Sequence, residues 1–261
     1  MAEPKRISSR DNPLLVRLRK LAADPAAYRK LGQVWIEGEH LCAACATGRP
    51  DAAQAVIGET AWQTKALREL AVRAADVTIV PDNVFATLGT LGSPPPLGFV
   101  VAWPGEGTLQ PDAPSVVLDR LQDAGNVGTI LRSAAAFGFR QVIALKGTAA
   151  LWSPKVLRAG MGAHFGLNLL EGVDDDRLAA LTPPLLATSS HASESLPLAA
   201  LPWPCAWVFG HEGQGVADGV LARCARTLRI PQPGGEESLN VAAAAAVCLY
   251  ESSRQRLGVS T

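Results

Sequence analysis

The sequence has 261 residues, 48% of them hydrophobic, and its 24 basic and 24 acidic side chains give a formal net charge of zero. This length allows two domains of the usual size, about 100–200 residues each, and neutrality argues against a protein that coats nucleic acid unspecifically. The chain has no apolar run of 18 residues and no signal-peptide pattern at its N-terminus, so we expect no membrane span and a cytoplasmic location.

The first hundred residues alternate helices with short strands. Leucines at helical spacing predict a helix over residues 13–30, with Asn12 as its cap and Pro13 in its first turn. Strands are predicted at QVWIEG, AVIG, VTIVP and GFVVAW, and helices at EHLCAACATG, which ends at Gly48, and around residues 61–75. We therefore expect a small α/β domain over residues 1–105.

The N-terminal 30 residues are basic. They hold eight basic side chains against three acidic ones, a local charge of +5, which leaves −5 for the remainder of the neutral chain. Such an arm suits contacts with RNA phosphates, for which the candidates are Arg6, Arg10, Arg17 and Lys20. A solvated amphipathic helix explains the same charges. Trp35, in QVWIEG, is interpreted as a core residue.

The five cysteines do not form a disulfide framework, because their number is odd and they are scattered. Cys42 and Cys45 have the CxxC spacing of a redox or zinc half-site, but they lie in an alanine-rich helical stretch and no second CxxC exists. We interpret them as small buried residues. The four histidines show no metal-ligand spacing either, so we predict no metal site.

A second domain follows a Pro- and Gly-rich stretch, PGEGTLQPDAPS, over residues 104–115. We predict a linker at residues 106–114 and a domain at 115–261. Near-continuous apolar strands, SVVLDRL, QVIAL, LLATS, AWVFG and TLRIP, alternate there with helices at GTILRSAAAFGF, SPKVLRAGMGAHF and about 240–256. This pattern predicts a parallel sheet covered on both faces.

Three polar loops follow strands of that sheet: LQDAGNVG, GHEGQG and PQPGGEESLN. Ligands of such sheets bind beyond the carboxyl ends of the strands. Arg132, two helical turns beyond Asn126, needs a partner, which is a bound phosphate or carboxylate, or else Asp119 or Asp123. GHEGQG does not fit a dinucleotide fingerprint, so its glycines indicate close backbone approach to a ligand. Glu212 within it accepts hydrogen bonds from a ligand or is an exposed turn acid.

The segments DAGNVGTILRSAAAFG, WVFGHEGQG and IPQPGGEESLNVAAAAAVCLYE resemble, in order and spacing, the three motifs of the SpoU/TrmH family of RNA 2′-O-ribose methyltransferases in the SPOUT superfamily. The N-terminal ISSRDNPLLVRLRKL and GQVWIEGEHL resemble the substrate-binding domain that often precedes that catalytic domain, so the resemblance covers nearly the whole chain. Three positions depart from the pattern. Ala124-Gly125 stands where Pro commonly precedes the Asn, His211 where Asn is commoner, and Gly160 where Ser is commoner.

The resemblance implies an α/β fold whose C-terminal SPOUT domain has a deep trefoil knot, preceded by a small α/β domain resembling a ribosomal protein. It also implies S-adenosylmethionine bound by the knot loops, at Thr188, Gly210, Ile230 and Leu239, with Glu212, Gly213 and Ser238 nearby. Homodimerisation through the C-terminal domain would place the active site between subunits. The alanine run at 242–246 would then let the closing helix approach its neighbour, although a helix buried against its own sheet fits equally well.

The resemblance makes Arg132 the leading catalytic residue, with Asn126, Glu212, Ser238 and Asn240 as further candidates. Arginine is a poor base because its guanidinium stays protonated, so Arg132 is interpreted as a clamp on the target phosphate that positions the hydroxyl; the alternative, Arg132 as the base, requires a site that strongly depresses its pKa. We expect an RNA substrate, ribosomal rather than transfer RNA. The alternatives are a non-catalytic RNA-binding protein with the same knotted fold, and a nicotinamide-dependent oxidoreductase, whose glycine spacing DAGNVG lacks.

Overall fold

The structure of the chain is a computed structural model that describes residues 3–48, 53–89, 96–234 and 239–258. It divides into two units: Met1–Gly105 with Trp152–Phe165, and Glu106–Leu151 with Gly166–Thr261. The sequence pattern predicted a continuous domain over 115–261, whereas the structure packs the segment Trp152–Phe165 with the first unit. No helix in the described ranges is long and apolar enough to cross a membrane.

The first unit contains a five-stranded mixed sheet. Its strands are β1 (Lys5–Arg6), β2 (Gln33–Glu37), β3 (Ala53–Gly58), β4 (Asp76–Val80) and β5 (Leu97–Ala102), in the order β1-β4-β3-β5-β2. β1, β4 and β3 run parallel to one another, and β5 is antiparallel to both β3 and β2. The helices are α1 (Pro13–Ala23), α2 (Ala27–Leu31), α3 (Glu39–Gly48), α4 (Glu59–Gln63), α5 (Lys65–Ala71), α6 (Asp82–Phe85) and α8 (Pro154–Gly160). The predicted α/β class of this unit is confirmed.

Two predicted helices of this unit are each split in two. The predicted helix over 13–30 ends at Ala23, because Asp24 precedes Pro25 and takes an extended conformation, which a residue before proline favours. The predicted cap is confirmed, since the Asn12 side chain accepts a hydrogen bond from the Leu14 amide at 2.9 Å. The helix predicted around 61–75 is interrupted at Thr64, which is also extended.

The segment Trp152–Phe165 joins the first unit through packing against its helices and β2. Within the segment, the Trp152 ring lies 5.2 Å from the His164 ring and 6.4 Å from the Phe165 ring, centre to centre. A Cβ added at Gly48 would lie 3.0 Å from Cβ of Phe165, so α3 meets this segment at close range. α8 also packs on β2 and α1. These contacts are distant in the chain, which is why the sequence pattern does not reveal them.

The second unit is built on a fully parallel sheet, as predicted, but the sheet has seven strands and not only the five that the sequence pattern indicated. Its strands are β6 (Ser115–Asp119), β7 (Gln141–Leu145), β8 (Asn168–Val173), β9 (Leu185–Thr188), β10 (Glu194–Ser195), β11 (Ala206–Gly210) and β12 (Arg226–Arg229), in the order β10-β12-β9-β11-β6-β7-β8. β6 and β7 are buried along their whole length, because helices cover a parallel sheet on both faces. The helices are α7 (Ala124–Ala136), α9 (Asp218–Leu221) and α10 (Val241–Gly258).

The closing helix α10 packs against α7 and β11 of its own chain. Its buried face uses small residues, including Ala242 and Ala245, and is fixed by a hydrogen bond of 2.9 Å from the Trp207 indole to the Ser252 hydroxyl. Val247 and Tyr250, on the other face, are 42% and 53% exposed. The alanine run therefore permits close packing inside the chain and still leaves one apolar face of the helix uncovered.

The predicted linker contains no helix or strand, but it is fastened to the second unit. The Gly107 amide donates to the Leu169 carbonyl at 3.1 Å, and the Gln110 amide donates to the Gln141 side chain at 2.8 Å. An added Cβ at Gly107 would lie 2.6 Å from the Leu169 carbonyl oxygen, so only glycine fits at this position. The linker thus forms an ordered border along β7 and β8.

Candidate active site

The polar loops predicted from the sequence meet at the carboxyl edge of the parallel sheet. Gly210 pairs directly with Asp119 across β11 and β6, and Thr188 pairs with Leu228 across β9 and β12. The loops that follow β6, β11 and β12 therefore start along one edge of the sheet, with the end of β9 between those of β11 and β12. In a parallel sheet this is the edge at which ligands bind.

A cavity of about 700 Å³ opens at this edge, a volume within the range of small-molecule sites. All six residues predicted to bind the cofactor line it: Thr188, Gly210, Glu212, Gly213, Ile230 and Leu239. Apolar side chains such as Phe209, Leu221 and Val241 line it together with polar ones such as Ser189, His191 and Gln232. The cavity can therefore accept a ligand that has both a flat apolar part and charged or hydroxylated parts.

The wall of the cavity depends on glycine at position 210. A Cβ added there would lie 2.2 Å from both the Gly215 carbonyl carbon and the Val216 nitrogen, which are backbone atoms. The amide of Gly215 donates to the His211 carbonyl at 2.8 Å and closes the turn. The glycines of GHEGQG, predicted to permit close backbone approach, thus allow the loop to fold back onto the end of β11.

Glu212 fastens this loop to the first one. Its carboxylate accepts hydrogen bonds from the Asp123 amide at 3.2 Å, from the Gln122 amide at 3.4 Å and from the Asn126 side chain at 3.3 Å. Partial burial by itself would raise the pKa of Glu212, but these hydrogen bonds and one from its own amide outweigh it and hold the pKa below its ordinary value. An ionised Glu212 therefore sits at the start of α7 and links two loops.

Asn126 and Asn240 extend the connection to the third loop. The Asn240 side-chain amide donates to Oδ1 of Asn126 at 3.0 Å, and Oδ1 of Asn240 accepts from the Ala242 and Ala243 amides at the start of α10. The three predicted residues Asn126, Glu212 and Asn240 are thus joined in one hydrogen-bonded chain. Ser238, the other predicted residue of this loop, lies outside the described residues.

Arg132 stands apart from this network. It is exposed on α7 and has no hydrogen-bond or ion-pair partner among the described residues. The alternative that it pairs with Asp119 or Asp123 is wrong, because Asp119 pairs with Arg120 and Asp123 accepts from the Asn126 amide at 2.7 Å. Arg132 does not line the cavity of its own chain. Within the described ranges, no side chain competes with a ligand for its guanidinium.

The N-terminal basic residues differ in their availability. The Arg6 guanidinium lies 3.1 Å from the Glu59 carboxylate, and Arg17 is half-buried. Arg10 and Lys20 are exposed, and the Arg10 carbonyl accepts a hydrogen bond from Arg19 at 2.6 Å. Of the four predicted phosphate contacts, Arg10 and Lys20 are therefore the most accessible.

Two other interpretations of residues in the first unit are confirmed. Cys42 and Cys45 are fully buried, and burial raises the pKa of the Cys42 thiol well above its ordinary value. Trp35 is 3% exposed and donates its indole N–H to Glu37 at 2.8 Å. These residues form part of the core of the first unit.

Comparison with known proteins places the chain in a family. The model of the SpoU rRNA methylase family matches residues 113–250, more than half of the chain. The chain belongs to the SpoU rRNA methylase family. The resemblance drawn from the three motifs is thereby confirmed, and with it the enzyme class, an RNA methyltransferase.

Relatives of this SpoU protein match along nearly its whole length. An uncharacterized tRNA/rRNA methyltransferase of Synechocystis is 33% identical over 98% of this chain and 96% of its own. The crystal structure of an RNA 2′-O ribose methyltransferase is 30% identical, with a TM-score of 0.81, and covers 97% of this chain and 99% of the other. An AdoMet-bound rRNA methyltransferase from Sinorhizobium meliloti, 23% identical, has the same fold, with a TM-score of 0.83 over 98% of this chain and 99% of its own.

Two positions of this SpoU protein have roles that the sequence pattern did not reveal. His211, noted only as a departure from the family pattern, accepts hydrogen bonds at Nδ1 from the Gly213 amide at 3.0 Å and the Gln214 amide at 3.3 Å. Arg120 directly follows β6 and pairs with the buried Asp119. The residue pair Asp119-Arg120 at a strand end was visible in the sequence, but nothing there showed that it faces the second loop.

Proposed function

We propose that this SpoU protein transfers a methyl group from S-adenosylmethionine to a ribose 2′-hydroxyl in ribosomal RNA. The observation that carries the proposal is the cavity at the carboxyl edge of the parallel sheet, which all six predicted cofactor residues line. The family's assignment to rRNA favours ribosomal over transfer RNA, although the Synechocystis relative is named for both.

The cavity fits the chemistry of S-adenosylmethionine. The cofactor has an adenine ring, a ribose and an amino-acid end, and it carries a positive sulfonium whose methyl group is the electrophile. Apolar Ile230 and Leu239 suit the ring, while Thr188 and the backbone of the 210–215 loop offer hydrogen-bonding groups. The ionised Glu212 in the wall favours a cation. The AdoMet-bound fold relative supports the same assignment.

The residues of the chain would supply alignment more than chemistry. A ribose hydroxyl is a weak nucleophile, so transfer requires an in-line approach to the methyl carbon and removal of the hydroxyl proton. Arg132, which is exposed and has no partner among the described residues, is suited to clamp the phosphate of the target nucleotide, which would place the hydroxyl. Asn126, Glu212 and Asn240 would hold the loops, and Ser238 would orient the ribose.

We further propose that two copies of the chain form the active site. Among the described residues, Arg132 does not line the cavity of its own chain, which is consistent with an arginine supplied to that cavity by a second copy. The exposed face of α10, with Val247 and Tyr250, is apolar and suits a contact between copies. α7, which carries Arg132, packs directly against α10.

The remaining predictions concern the chain path and the first unit. We propose that α10 forms part of the trefoil knot, since it packs on α7 and β11 after the chain has left the distant strand β12. We propose that the first unit binds RNA through Arg10 and Lys20, and that the protein acts in the cytoplasm.

The test is methyl incorporation from radiolabelled S-adenosylmethionine into ribosomal and transfer RNA from cells that lack this protein. Digestion of the products should yield labelled 2′-O-methylnucleosides from ribosomal RNA. Label in transfer RNA alone would contradict the substrate class, and label in base-methylated nucleosides would contradict the reaction. In the same assay, the Arg177→Ala variant is the matched control for Arg132→Ala. It loses an exposed arginine of the same unit outside the cavity and should be fully active.

If neither RNA class is labelled, equilibrium dialysis with S-adenosylmethionine should follow. Failure to bind the cofactor would overturn the proposal in favour of a non-catalytic RNA-binding protein. Binding without transfer to naked RNA would be followed by the same assay on ribosomal particles, and inactivity there would also overturn it.

A further inference from the structure

The backbone of Arg120 adopts a conformation that a side chain other than glycine rarely takes. Its φ is +58°, in the left-handed region, and among the described residues Met161 is the only other non-glycine residue with positive φ. Such strain persists where surrounding contacts require it and often marks a functional position. Gly147 gives the Arg120 stem its space, since an added Cβ there would lie 3.3 Å from Cγ of Arg120.

The Arg120 guanidinium connects the end of β6 to the second loop. Nε and Nη2 donate to the two carboxylate oxygens of Asp119 at 2.9 and 3.1 Å, and Nη1 donates to Oε1 of Gln214 at 3.0 Å. Nη2 also lies 3.4 Å from the Gly215 carbonyl oxygen. Asp119 in turn accepts from the Ala217 amide at 2.7 Å. Asp119 and Arg120 therefore hold the loop at Gln214, Gly215 and Ala217.

These contacts act on the cavity from outside. Gln214, Gly215 and Val216 line the cavity, but neither Asp119 nor Arg120 does. Asp119 is 3% exposed at its side chain and anchors the pair in the sheet, whereas Arg120 is 33% exposed and reaches toward the loop. A bidentate arginine–carboxylate pair has a fixed geometry, which suits it to set the position of a third group.

We propose that Arg120 is a positioning residue that holds the 214–217 loop as one wall of the cofactor cavity, with Asp119 as its anchor. The inference rests on the proposed function for the identity of the cofactor. The chain then retains the strained, left-handed backbone of Arg120 because this conformation directs the guanidinium to Gln214 and Gly215.

The test compares Arg120→Lys, Gln214→Ala and the double variant with the wild-type protein. Lysine keeps a positive charge beside the buried Asp119, so folding is preserved, but it lacks the planar fork. Gln214 is exposed, so its truncation removes the loop contact without disturbing Asp119. The matched control is Arg177→Lys, at an exposed position outside the loop.

Hydrogen exchange without cofactor reports on the loop itself. In Arg120→Lys, a peptide that covers residues 211–217 should exchange about tenfold faster or more, as expected when charge-assisted hydrogen bonds are lost, while β8 exchanges as in the wild type. Unchanged exchange in the loop would overturn the proposal, as would equal acceleration in β8, because the residue would then act on the whole fold.

Calorimetric titration with S-adenosylmethionine reports on the cavity. Each single variant should weaken binding of S-adenosylmethionine, Arg120→Lys by about tenfold. The double variant should bind no more weakly than Arg120→Lys alone, because both substitutions remove the same contact between Arg120 and Gln214. Fully additive losses would overturn the proposal, since Gln214 would then contact the cofactor independently. A wild-type protein that binds no S-adenosylmethionine would refute the proposed function, and the loop exchange would still decide the role of Arg120.

Discussion

Replacing Gly210 by alanine tests the fold-back of the cofactor loop most directly. The new Cβ would lie 2.2 Å from the Gly215 carbonyl carbon, whereas ordinary contact begins at about 3.4 Å, so the loop has to retreat by about 1.2 Å. The obstructing atoms belong to the backbone and cannot swing away as the tip of a side chain can. The hydrogen bonds that hold Gly215 and Ala217 would then be stretched or broken.

The expected loss of stability follows from overpacking, which typically costs about 1–3 kcal/mol. For a domain of this size, each kcal/mol lowers the unfolding midpoint by roughly 2–4 °C. The matched control is Gly213→Ala in the same loop, where the added Cβ would lie 3.8 Å from the nearest His211 ring atoms and φ is not positive. That variant should be neutral or slightly stabilised, since alanine restricts the unfolded chain.

Differential scanning calorimetry without cofactor measures both variants, and titration with S-adenosylmethionine follows on the folded protein. Gly210→Ala should melt earlier and bind the cofactor more weakly, because its cavity wall is displaced. If Gly210→Ala melts together with the wild type and Gly213→Ala, then the loop does not pack on position 210 and the described wall is wrong. If it melts earlier but binds cofactor normally, then the loop does not form the cofactor site.

Three further predictions concern single side chains of the site. Arg132→Ala should abolish methyl transfer and leave the dissociation constant of S-adenosylmethionine within a few-fold, since Arg132 does not line the cavity of its own chain; surviving turnover would refute its central role. His211→Asn should bind the cofactor like the wild type, because the asparagine oxygen can replace Nδ1 as acceptor, whereas His211→Ala should bind more weakly in calorimetry; equal binding by both would show that the acceptor is irrelevant. The carboxylate of Glu212 has a lowered pKa when folded, so its stabilising effect is complete above the ordinary pKa of 4.5 and is lost as pH falls through the lowered value. Thermal unfolding of Glu212→Gln should therefore depend less on pH in that acid range, and an unchanged dependence would contradict the clamp.

The site was predictable to the extent that parallel sheets place strand ends together. The loops after β6, β11 and β12 were recognised by their polar and glycine-rich composition. The sheet brings them to one edge because its strands are parallel and their carboxyl ends therefore lie together. The chain of contacts between Asn126, Glu212 and Asn240 was not predictable, because its members are 86 and 114 residues apart from Asn126. Sequence spacing fixes local geometry, but it does not show which side chain of one loop meets which of another.

The differences between the predicted and the observed structure have several physical origins. The break of the first helix before Pro25 was visible, since the residue before a proline is disfavoured in a helix, but leucine periodicity was given more weight. The placement of Trp152–Phe165 with the first unit depends on packing against α1, β2 and α3, which are distant in the chain, so no local pattern reveals it. The left-handed backbone of Arg120 was invisible because arginine carries no preference for that region.

The contacts between the loops also determine which substitutions can distinguish a catalytic residue from a residue that only supports the loops. Asn126 bridges Glu212 and Asn240, so its removal takes one hydrogen bond from each of them and loosens the connection between all three loops. A loss of activity in such a variant therefore does not distinguish a catalytic role from a supporting one. Arg132 has no partner among the described residues, so its removal leaves this network intact. For that reason Arg132 is the predicted catalytic residue whose substitution separates contact with the substrate from the integrity of the cofactor loops.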